Sequence, residues 1–133
     1  MDSIESKIQY WMELAIYDLD TAESMLKTKR LLYMGFMCHQ VFEKSLKAYY
    51  WHINKKEPPY THNLLILCNK TGLDSLLSEN QRKLINLLMP LNIQARYPED
   101  KESLSKSLTL EVCKKIYNET REFYIWIKQL LKS

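Results

Sequence analysis

Glycine is nearly absent from this chain: Gly35 and Gly72 are the only two in 133 residues, and prolines number four. Turn-rich β architectures need such residues at their many corners. Their scarcity excludes a sandwich or small barrel and leaves long stretches for helices. Cysteine is sparse too. Cys38, Cys68 and Cys113 stand far apart, odd in number and without a CxxC, which argues against a disulfide framework. Buried, reduced thiols are the expectation. The three histidines (His39, His52, His62) form no Glu-x-x-His, which removes the paired motif of carboxylate-bridged metal bundles. Two isolated glycines cannot build a phosphate-cradling loop. No metal site and no cofactor is expected.

Long apolar runs are missing as well. None approaches the ~20 residues of a membrane helix, and the N-terminal MDSIESK lacks the apolar core of a signal peptide. The expected address is the cytoplasm, with no membrane partner. Nor does one sign of charge dominate: 19 Lys and Arg against 16 Asp and Glu give +3, scattered along the chain. A nucleic-acid footprint would need clustering in space. The length suits one domain over residues 1–133, and 46% hydrophobic with 26% charged residues is ordinary for a globular chain.

What the chain does have is helical periodicity. Asp2-Ser3-Ile4-Glu5 reads as a capping box for a first helix. Ile4, Ile8, Trp11, Ala15, Leu19, Ala22 and Leu26 then recur every three or four residues, until Lys27 to Arg30 set cations at the negative pole. A second helix is predicted from about Leu32 to Asn54, with Pro58-Pro59 as its stop. A short third runs from His62 or Asn63 to Thr71, closed by Gly72. Ser78-Glu79-Asn80-Gln81, another capping box, opens a fourth through Leu84, Leu87 and Leu88, which Pro90 ends or bends. After a polar stretch from Ala95 to Ser107, the stripe Val112, Ile116, Thr120, Phe123, Ile127 and Leu130 marks a last helix over about Thr109 to Leu131. The predicted fold is all-α, an up-and-down bundle of about five helices, three of them long.

The chemistry concentrates in FMCHQVFEKSLKAYY, Phe36 to Tyr50. Met34, Met37, Val41, Ser45 and Ala48 recur as one buried face. Gln40, Glu43 and Lys47 repeat the spacing further round, so their side chains converge on a strip. Phe36, Phe42, Leu46, Tyr49 and Tyr50 leave little circumference for water, so these polar groups should be partly buried and partnered. The plainer alternative is an ordinary Glu43–Lys47 pair on an exposed face. Cys38 and His39, adjacent on a helix, diverge by about 100° and cannot form a dyad. In Arg96-Tyr97-Pro98 the proline pushes Tyr97 to extended geometry, and the arginine fork suits phosphate or carboxylate. A surface pair of Arg96 with Glu99 or Asp100 is the alternative. Nine tyrosines and three tryptophans fit an interface or the outer layer of a small core, and both stay open.

Four segments in order carry a resemblance. They are Trp11-x-x-x-Ala15-x-x-Asp18-Leu19-x-x-Ala22, Cys38-His39-Gln40-x-x-Glu43-Lys44-x-x-Lys47-Ala48, Thr61-His62-Asn63-Leu64 and Arg96-Tyr97-Pro98. Across nearly its whole length the chain resembles the HEPN domain family, five-helix modules often encoded beside a small nucleotidyltransferase. In the family's ribonucleases an arginine is followed a few residues later by a histidine, and two copies meet across a dimer. Arg96 matches the arginine, but no histidine follows His62. The resemblance therefore implies a non-catalytic homodimer: a nucleotidyltransferase partner or a nucleotide- or RNA-binding module, in a toxin–antitoxin or defence setting. Its candidate ligand-binding residues are Gln40, Glu43, Lys44, Lys47, Arg96 and Tyr97, supported from behind by Asp18, His39 and His62. A metal-independent ribonuclease with an altered site is the alternative.

Overall fold

Helix α1, Ser3–Lys27, and helix α2, Leu31–Asn54, lie against each other as a hairpin, and everything else is arranged around α2. The computed structural model describes residues 3–94 and 106–133, the side chains of 93 and 94 excepted. The proposed cap residue Asp2, and Arg96 with Tyr97, lie outside the described residues. The turn between the first two helices closes by a Schellman arrangement. Arg30 N–H donates to Met25 O at 2.8 Å and Lys29 N–H to Leu26 O at 3.1 Å, with Lys29 in the left-handed region at φ 61°. Geometry as well as the terminal cations ends α1.

Helix α2 is buried almost all round. From Met34 to Tyr50 its fully or largely covered residues include Cys38, His39, Val41, Phe42, Glu43, Ser45, Leu46, Lys47 and Ala48. The expected single buried face is thus too narrow, because four other helices pack on this one. The proline stop is also corrected. Helix α2 ends at Asn54 as expected, but its C-cap is Lys55, left-handed at φ 58° and donating to Trp51 O, three residues before Pro58.

Helix α3, Leu64–Thr71, starts where the Asn63 side chain accepts from the amides of Leu65 and Ile66, and ends at Gly72 with φ 74°. A 3₁₀ turn, Leu73–Ser75, leads to helix α4, Glu79–Gln94. The capping box that opens α4 is reciprocal: Ser78 N–H donates to Gln81 Oε1 at 2.8 Å and Gln81 N–H to Ser78 Oγ at 3.1 Å. Pro90 neither ends nor breaks this helix, which runs on to Gln94. Pro90 and Asn86, one turn back, lie on the less covered side, while Leu88 and Leu91 anchor the other. Gly35 of α2 lets the two helices touch: a Cβ there would lie 2.6 Å from Leu91 Cδ1.

Helix α5, Leu110–Leu130, begins with Thr109 Oγ1 capping Val112 N–H. Its buried stripe is Cys113, Ile116, Tyr117, Thr120, Phe123, Tyr124 and Ile127. Val112 and, on α4, Leu87 face solvent, against expectation, because α4 and α5 touch each other little and pack mainly on α2. At the centre Phe42 and Phe123 stack at 4.0 Å. The described residues contain five helices, three long, and no strand. The all-α bundle is as the sequence predicts.

Candidate functional site

Buried charge on a central helix needs a partner, since an isolated ion out of water costs several kcal/mol. Helix α2 carries two such ions one turn apart. The Lys47 ammonium donates to Glu43 Oε2 at 3.1 Å, with side chains 8% and 5% exposed. The second carboxylate oxygen, Oε1, meets His62 Nδ1 at 2.8 Å. His62 stands on the segment leading into α3 and keeps 43% of its side chain accessible. On the far side, Lys47 Nζ lies 5.2 Å from the centre of the Trp11 ring of α1, a cation–π contact. The plain exposed-face pair is therefore not what forms. Glu43 is the hub of a covered network that reaches solvent through His62.

Neighbouring members of the strip are engaged by other helices. Lys44 forms an ion pair with Asp18, a buried carboxylate on α1. Gln40 Nε2 donates to Asn92 Oδ1 at 3.2 Å, tying α2 to the last turns of α4. Gln40, Glu43, Lys44 and Lys47 thus share one side of α2, but the contacts that hold them come from different elements. Asp18 and His62 do stand behind them as partners. His39 has no accessible surface and sits in the core, out of reach of any dissolved ligand.

Beside Lys47 the α1–α2 hairpin opens into a groove of about 220 Å³, lined by Lys7, Tyr10, Trp11, Lys47, Trp51 and the segment from Glu57 to Tyr60. Tyr60 is 93% exposed, yet its ring sits 5.7 Å from that of His62, edge to face. Sequence reasoning did not place Lys7, Trp11, Trp51, Tyr60 or Asn92 at the site. The only local signal was the density of aromatic residues, which by itself does not separate groove from core.

The cysteines offer no chemistry here. Burial pushes the Cys38 and Cys68 thiols up to about 12 and the Cys113 thiol up to about 11, so all three stay protonated and inert near neutrality. His52 is shifted down, by burial and then by nearby Lys55, which favours the neutral ring. Among the described residues no three His, Cys, Asp or Glu side chains gather as metal ligands, and no helix is long and apolar enough to cross a membrane.

The family model described as HEPN domain matches residues 8–130. The crystal structure of TT1696 from Thermus thermophilus superposes with a TM-score of 0.75 at 18% identity, covering 92% of this chain and 97% of that one. At that identity the likeness speaks for the fold. No curated protein matches the sequence.

Proposed function

The chain belongs to the HEPN domain family, which suggests a nucleotide- or RNA-related role, and from that premise we propose a non-catalytic helical homodimer that binds nucleotide or RNA phosphate and bases along the polar side of α2. It would act as partner of a nucleotidyltransferase, in a toxin–antitoxin or defence setting. The observation that supports this most is the buried Glu43–Lys47 pair, opening to solvent at His62 and at the Trp11 groove. A structural pair gains little over apolar side chains of the same volume. A lysine held beside an accessible groove gains a purpose if a ligand uses it. Arg96, four residues beyond Asn92 in the sequence, would supply the second cation, with Tyr97 beside it.

Absence of catalysis is read from the sequence: no histidine follows Arg96. One observation favours the alternative of an altered ribonuclease. The half-exposed His62 imidazole is oriented by a buried carboxylate, the arrangement a general base requires. Incubating the pure protein with a mixed RNA pool and chelator separates the two. Intact RNA with retained binding supports the proposal. Cleavage lost in His62→Ala or Arg96→Ala overturns it. Light scattering at micromolar concentration tests the dimer, which a clean 15.9 kDa species would refute.

A further inference from the structure

Four aromatic rings line the α1–α2 groove, Tyr10, Trp11, Trp51 and Tyr60, and its shape limits what it can hold. Its about 220 Å³ is smaller than the ~300 Å³ at which clefts for whole small molecules begin. A single planar ring fits, with anything larger left outside. The walls suit a ring: Tyr10, Trp11, Trp51 and Tyr60 with Pro58 and Pro59 present flat, largely apolar surfaces. Tyr10 meets Trp11 edge to face at 5.5 Å, and Lys47 fixes the Trp11 indole by its cation–π contact. Tyr60 is the informative member. A ring 93% exposed, on a segment stiffened by two prolines and resting against His62, contributes almost nothing to the core. It is placed as a stacking platform is placed.

Charge selects the class of ring. Lys7 on the groove wall makes no ion pair among the described residues, and Lys47 is the second cation that lines it. An exposed cation beside an aromatic slot matches a base whose phosphates remain in water. Glu57 is the one carboxylate lining the groove. It can only accept, so it favours a base with an exocyclic amine over one that offers carbonyls alone.

We propose that this groove is a stacking subsite for one amine-bearing base, adenine or cytosine, of single-stranded RNA, with Tyr60 and Trp11 as the platform, Lys7 on the adjoining phosphate and Glu57 reading the amine. The proposal rests on the nucleic-acid reading above and adds the position and preference of one base. It adjoins the α2 strip at Lys47, which lines the groove.

The test is fluorescence titration of a Trp126→Phe background, which leaves Trp11 and Trp51 as reporters, with short oligoadenylate, oligouridylate and an abasic sugar-phosphate oligomer of equal length. Oligoadenylate should quench and the abasic oligomer should not. Tyr60→Ala, at a position too exposed to affect folding, should weaken oligoadenylate about 5- to 150-fold. Glu57→Gln should narrow the preference for oligoadenylate over oligouridylate. Binding left unchanged by Tyr60→Ala overturns the subsite while the nucleic-acid reading survives. No binding of any oligomer overturns both. Quenching by a proline-rich peptide without quenching by oligoadenylate would show a polyproline groove instead, and would overturn the proposal.

Discussion

Replacing Glu43 by glutamine removes one charge and almost no volume, and it isolates what the central pair contributes. In the wild type the Lys47 ammonium, 8% exposed, is neutralised by a carboxylate 3.1 Å away. Breaking a buried ion pair from one side costs about 3–5 kcal/mol, because the remaining charge is left uncompensated. The amide oxygen can still accept from Lys47, recovering about 1 kcal/mol, and the Trp11 contact at 5.2 Å persists. The expected loss is about 2–4 kcal/mol. For a chain of this length, that lowers Tm by roughly 8–16 °C. Removing both charges, in Glu43→Gln/Lys47→Met, should bring stability back to within about 1 kcal/mol of wild type. Urea unfolding followed by helical circular dichroism measures all three proteins. A single variant within about 0.5 kcal/mol of wild type would show that water reaches the pair, and the argument from burial would fail.

Two further predictions concern the scaffold. Asn63→Ala removes the acceptor of two amides at the start of α3 and should cost about 1 kcal/mol, while Asn63→Ser should retain most of it; equal unfolding midpoints for all three would contradict the cap. The three thiols have folded values raised from 9.0 towards about 11–12, so their stabilising contribution is complete below pH 9 and is lost as pH rises through that window. Stability should therefore fall between about pH 9 and pH 12, and more steeply in wild type than in a variant with all three cysteines changed to alanine; parallel pH profiles would refute the assignment.

Much of this fold is legible in the sequence because its signals are local. The Ser78–Gln81 capping box, Gly72 after α3 and the three-or-four spacing of α1 each depend on neighbours a turn away. What spacing could not give is how many partners a helix has. Helix α2 reads as one-sided, yet four helices cover it, and α4 continues past Pro90 because Leu88 and Leu91 hold it from the buried side. Val112 and Leu87 fit a helical stripe but stay partly exposed, lining an open cleft between α4 and α5. The site divides in the same way. Gln40, Glu43 and Lys47 share a strip because they share a helix. Their distinct partners, Asn92, His62 and Trp11, come from elements distant in sequence, and no spacing rule connects them.

The central claim is that the Glu43–Lys47 pair serves a ligand more than it serves the fold. It is tested most directly by titrating single-stranded RNA into wild type and the stability-matched Glu43→Gln/Lys47→Met protein in a calorimeter. The account predicts that the double variant, folded and as stable as wild type, binds about tenfold more weakly or worse. Equal affinity in the two proteins would make the pair a structural feature and contradict the assignment of the site.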